Sequence, residues 1–118
     1  MDQIFARLVR ATQRVRDFDT GAWLGSQDAG LRLAAYARLY ALPEPEALGA
    51  LVDAVIAEQL PFNQYWGLRA VGRAVEDLGT GRVPHGVVRQ LEEFRSRMPR
   101  ANDRAGVVDR ILAEFGEG

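Results

Sequence analysis

The chain of 118 residues has a single histidine, His85, and no cysteine. Its basic residues are all arginine; lysine is absent. These absences exclude a thiolate nucleophile, a cysteine–zinc centre, a Schiff-base lysine and a P-loop lysine. His85 follows Pro84 at an expected helix start, where surface or capping duty is the plain assignment. Nearby residues offer no marked nucleophile for a Ser-His-Asp arrangement. Gly79-Thr80-Gly81, with Gly86 beyond it, has the composition of a phosphate loop but follows a helical stretch rather than a strand. The acidic pairs Glu76-Asp77 and Glu92-Glu93 are adjacent in sequence, so on a helix each pair splays by about 100° and faces solvent rather than one substrate. The expectation is no catalytic residue, no cofactor, no metal and no enzyme. A site assembled from scattered residues is the enzymatic alternative.

A different chemistry is concentrated in one stretch, Pro61-Phe62-Asn63-Gln64-Tyr65-Trp66-Gly67-Leu68-Arg69-Ala70, continuing to Leu78. Leu68, Val71, Val75 and Leu78 recur at a helical period and share one face. Phe62, Trp66, Arg69 and Arg73 fall on roughly the opposite face, with Tyr65 beside them. Tryptophan, tyrosine and arginine dominate binding hot spots, and aromatics also fill ordinary cores. Two readings therefore stand: a helix buried on both sides, or a helix whose Phe62, Tyr65, Trp66, Arg69 and Arg73 form a partner-binding surface.

The remaining charge is also unevenly placed. Arg7, Arg10 and Arg14 make a basic stripe on the expected first helix, either solvated or a weak nucleic-acid contact. No basic residue occurs between Arg38 and Arg69, while Glu44, Glu46, Asp53 and Glu58 lie in that interval. The basic helix and the acidic interval are expected to attract each other, within the domain or between copies. With a net charge of −1, the chain has no global pull toward nucleic acid or an anionic membrane. The absence of cysteine fits a reducing cytoplasm. No apolar run approaches the ~20 residues that span a bilayer, and residues 1–16 lack the apolar block of a signal peptide.

The elements that would position these residues are all helical. The sequence predicts one all-α domain over residues 1–118, a compact bundle of about six helices near 2–17, 27–42, 45–59, 62–78, 84–98 and 103–115. In the first, Ile4, Leu8 and Val15 make the apolar stripe, widened by Phe5 and Val9. Asp17 to Gln27 reads as a loop around Trp23-Leu24, with Ser26 as N-cap of the second helix. That helix is apolar almost all round and belongs in the interior. Pro45 opens the third helix, Pro61 suits the entry of the fourth, and Gly79 ends it. Pro84 opens the fifth, and Asn102 or Asp103 caps the sixth. The last residues, Gly116-Glu117-Gly118, should fray. Leu33, Leu39, Leu51, Val55, Leu68 and Val71 are expected in the core.

Gly30-Leu31-Arg32 recurs as Gly67-Leu68-Arg69. At the same spacing further on, Val108, Arg110 and Leu112 echo Val71, Arg73 and Val75. This is compatible with HEAT-like helix-pair stacking and equally with independent helices of a bundle.

Several anchors together carry a family resemblance. They are Trp23-Leu24, Ser26, Gly30-Leu31-Arg32-Leu33-Ala34-Ala35-Tyr36-Ala37, Pro43-x-Pro45, Leu48, Leu51 and Pro61-Phe62-x-Gln64-Tyr65-Trp66-Gly67-Leu68-Arg69-Ala70. Over about residues 23–75 the chain resembles the small helical effector-associated domains of bacterial conflict and immunity systems. Similar segments accompany TIR, caspase-like, trypsin-like and NTPase modules. The resemblance implies a cytoplasmic adaptor without catalytic residues. It would pair with a like helical domain on an effector or sensor protein, homo-oligomers included. The alternative expectation is a HEAT-like scaffold or nucleic-acid-binding helical domain.

Overall fold

A computed structural model describes residues 2–100 and 102–116. It is all-α and compact: α1 Gln3–Gln13, α2 Thr20–Leu24, α3 Ala29–Ala41, α4 Leu48–Ala57, α5 Pro61–Leu78, α6 His85–Ser96 and α7 Asp103–Gly116. Short 3-10 turns precede α4 at Pro45–Ala47 and α6 at Thr80–Arg82. The extra helix relative to the six expected is α2. The Trp23-Leu24 stretch, read as a loop, is instead a five-residue helix. Asp19 makes it possible by accepting the Ala22 amide and supplying a start that hydropathy does not reveal.

The other helix ends move for similar reasons. Asp2 caps α1 through the amides of Ile4 and Phe5. Asp28, not Ser26, caps α3 through Gly30 and Leu31; the Ser26 hydroxyl accepts the Asp28 amide one step upstream. The first helix stops at Gln13 rather than running to 17. The Arg38 guanidinium reaches across from α3 and donates to the carbonyls of Thr12, which also accepts the Val15 amide, and of Val15, just past the last turn. Pro84 stands just before α6 as its cap, and the helix proper begins at His85. Asn102 accepts the Arg104 amide at the start of α7. Of the three C-terminal residues expected to fray, Gly116 is instead the last residue of α7, while Glu117 and Gly118 lie outside the described residues.

The inward face of α1 also differs from the expected stripe. Val15 falls beyond the helix, and Ile4 is 62% exposed. The residues turned to the core are Phe5 and Thr12, two turns apart, with Leu8 and Val9 half-buried between them. The Thr12 hydroxyl is satisfied by the Val9 carbonyl.

α5 is the centre of the bundle. It packs against α3, α4 and α7, while α1 and α2 cover α3 and α6 braces α4 and α7. The brace is partly polar: Gln90 on α6 donates to Asp53 on α4, and Arg95 on α6 pairs with Asp109 on α7. One hydrophobic cluster contains residues from all seven helices. Leu33, Leu39, Leu51, Val55, Leu68 and Val71 are all buried in it, as expected.

Gly67 lets α3, α4 and α5 close on one another. A Cβ there would lie 2.6 Å from Val55 Cγ2 and 3.4 Å from Tyr36 Cε1. Val55 is β-branched and cannot swing clear easily. The matching glycine of the sequence echo, Gly30, sits exposed in the first turn of α3. Likewise Leu31 is exposed where Leu68 is fully buried. The two triplets therefore occupy different environments.

Candidate partner-binding face

A network of polar side chains lies beneath the start of α5. α4 ends at Ala57, which turns Glu58 inward; its side chain is 0% exposed. Arg32, one turn into α3, grips this carboxylate with two N–H groups, Nε at 2.9 Å and Nη2 at 3.1 Å. The Tyr36 hydroxyl, one turn further along α3, donates at 3.0 Å, and the Leu60 amide donates at 3.3 Å. Burial pushes the Glu58 carboxyl upward, but Arg32, Leu60 and Tyr36 outweigh it and hold the group below its ordinary range. The Tyr36 phenol is pushed well up by burial and by the neighbouring Glu58 charge. Gln64 extends the network: its amide donates to the carbonyls of Val55 and Glu58, and its oxygen accepts from Arg104 of α7. Together these bonds tie α3, α4, α5 and α7.

This network was not legible in the sequence. Glu58 and Gln64 lie in segments apart from α3, which holds Arg32 and Tyr36, and only the i, i+4 spacing of those two gives any local hint. It also borders the larger cleft, about 830 Å³, between the α2–α3 connection and α4. The charged groups of that cleft are Arg32, Glu58 and Asp53. All three are already bonded, the first two to each other and Asp53 to Gln90. The cleft therefore offers an incoming ligand one unpaired charge, the Asp53 carboxylate, already hydrogen-bonded through one oxygen.

The outward face of α5 is built differently. Phe62 is 43% exposed, Tyr65 and Arg69 are half-buried, and Arg73 is exposed. Trp66 departs from the surface expected of it: it is buried, at 6% exposure. Phe5 from α1 stacks on its ring at 4.1 Å and an interplanar angle of 13°. Tyr65 and Tyr40 meet its edges at 5.3 and 6.1 Å. The tryptophan lies at the border of the α5 outer face, and α1 covers that border.

The buried ring nevertheless shapes the surface. The Arg69 guanidinium lies 5.6 Å from the Trp66 ring and 5.9 Å from the Tyr65 ring, and it donates to the Tyr65 hydroxyl at 3.1 Å. Arg73, one turn on, lies 4.7 Å over Tyr40. Aromatic faces attract cations and restrict where they point. The ion pairs among the described residues are Arg32–Glu58, Arg95–Asp109 and Arg104–Asp103. Neither Arg69 nor Arg73 is in one. Their positions are held by rings, which leaves most of their N–H donors uncommitted to acid.

Sequence reasoning thus placed Phe62, Tyr65, Arg69 and Arg73 together on one face, and the structure keeps them there. It missed Tyr40, which a helix apolar all round concealed, and Arg110 of α7, which lines the same cleft as Arg69 and Arg73. The basic stripe Arg7, Arg10 and Arg14 is exposed on α1, and His85 is exposed at the start of α6. Among the described residues no cluster of three or more histidine, cysteine or acidic side chains could hold a metal ion. No described helix is long and apolar enough to cross a membrane. Among known proteins, no family matches the chain, no curated protein matches it and no solved structure matches it.

Proposed function

We propose that this chain is a non-catalytic protein–protein interaction adaptor whose contact face is Phe62, Tyr65, Arg69 and Arg73. The observation that carries the reading is the ring-held state of Arg69 and Arg73, neither in an ion pair, on the α5 face that also exposes Phe62 two to three turns earlier. A face of this kind offers apolar area together with planar donor forks whose geometry is fixed before binding. Trp66 acts from beneath, as the support of Arg69. In keeping with its resemblance to effector-associated domains, the adaptor couples an effector to a sensor or switch protein of bacterial immunity in the cytoplasm. Its partner is a like helical domain, a second copy of the chain included.

The alternative, a HEAT-like scaffold or nucleic-acid-binding domain, draws on the exposed stripe Arg7, Arg10 and Arg14. Phosphate binding rests on accumulated positive charge, and a net charge of −1 works against it. The protein partner is therefore the better-supported reading.

A photo-crosslinking residue at Phe62, expressed in the native cells, tests it. Crosslinks to one defined protein are expected from position 62 and none from the exposed control positions Gln27 and Arg97. A lack of crosslinks at 62, or the same products from all three positions, would overturn the assignment of this face.

A further inference from the structure

Between α5 and α7 lies a cleft of about 260 Å³. Arg69 and Arg73 line it from α5, Arg110 from α7 and Tyr40 from α3, with Glu76 and Glu114 at the same cleft. Gly72, between the two α5 arginines, replaces a side chain where α5 faces Ile111; a Cβ there would touch Ile111 Cγ1 at 3.5 Å. Glu76 is three residues from Arg73, and Glu114 is four from Arg110. Both spacings suit ion pairs on a helix. Yet none of the three arginines has a carboxylate within 4.0 Å among the described residues. For two of them the cause is visible: Arg69 rests on Trp66 and Tyr65, and Arg73 rests on Tyr40. Three guanidiniums from two helices therefore line one small concavity, none of them paired with a carboxylate among the described residues.

We propose that this cleft takes the carboxylates of an acidic segment of the protein partner, two of them one helical turn apart. The inference rests on the partner-face reading and gives it a ligand chemistry. Arg69 and Arg73 are spaced by one turn of α5, which a pair of glutamates at i and i+4 on an opposing helix would match. A carboxylate accepts two parallel N–H bonds from one guanidinium fork. Glu76 and Glu114 set the limit on how much negative charge is welcome. They leave the cleft only weakly positive, which suits a segment with a few carboxylates. A nucleic-acid backbone, with a charge at every step, would meet the two glutamates as well as the arginines.

The test follows the arginine Nε–H signals of the ¹⁵N-labelled full chain by NMR. The probes are a capped helical peptide with glutamates at i and i+4, its glutamine-substituted counterpart, and single-stranded oligothymidylate. Saturable shifts of the Arg69, Arg73 and Arg110 signals are expected with the glutamate peptide. Its affinity should exceed that of the glutamine peptide by about tenfold or more, the loss of charge-assisted bonds. Arg73→Gln and Arg110→Gln should each weaken it by about tenfold; both residues are exposed, so the fold is retained. The absence of shifts, equal affinity for the glutamine peptide, or tighter binding of oligothymidylate would overturn the proposal. If the glutamate peptide fails while position 62 still crosslinks one protein, the acidic-segment inference alone is wrong. If both fail, the face itself is wrong.

Discussion

Arg32→Met should destabilise the domain by about 3 kcal/mol, the low end of what breaking a buried ion pair costs. Methionine keeps most of the arginine stem, so the loss isolates the charge and its hydrogen bonds. Glu58 is fully buried and keeps its charge only through its donors, of which Arg32 supplies two. Arg32 itself is 20% exposed, which admits some water to the vacated space and sets the loss at the lower end. The pH dependence gives a second signature. The folded state holds the Glu58 carboxyl below its ordinary value of 4.5. Its contribution is therefore complete above that value and is lost as pH falls through the lower, folded one. Without Arg32 the carboxyl must sit higher. The gap in stability between Arg32→Met and the native chain should be widest near neutral pH and shrink in acid. Urea unfolding at a series of pH values measures it; a gap below about 1 kcal/mol at neutral pH would mean that water replaces Arg32 at little cost.

Leu68→Ala should cost about 2–5 kcal/mol, the range for a large-to-small change in a packed core. Leu68 has no exposed surface and lies on the helix that α3, α4 and α7 all pack against. Urea unfolding again gives the number, here as a lower midpoint with an unchanged slope. An unchanged midpoint would mean that the inward face of α5 is assigned wrongly.

Period and punctuation carried most of the fold. The recurrence Leu68, Val71, Val75 named the inner face of α5, and Pro61 with Gly79, the one described residue at positive φ, marked its ends. Helix starts were less legible where two capping residues lie close together. Ser26 and Asp28 differ as caps only in which amides they reach, and that depends on the backbone between them. Phe5 and Ile4 are neighbours of similar hydropathy; which one faces inward depends on the rings it meets, and Tyr40 and Trp66 come from other helices.

The candidate face shows the same division. Its residues could be grouped from the helical wheel because they belong to one element. The burial of Trp66 could not, since Phe5 covers it from α1. Nor could the cleft, whose third arginine comes from α7. Local spacing places side chains on a face; contacts between distant segments decide which of them water still reaches.

On the proposed face, Arg69 and Arg73 serve binding rather than folding. Their rings and exposure assign them little stability, about 0.5–1 kcal/mol for each cation–π contact. The direct measurement pairs affinity enrichment of the tagged chain from native cells with a thermal melt, for the native protein and for Arg69→Ala/Arg73→Ala. The protein crosslinked from position 62 should be enriched by the native chain and lost, by roughly thirtyfold or more, with the double variant, whose melt stays within a few degrees of native. Undiminished enrichment by a well-folded double variant would contradict that role.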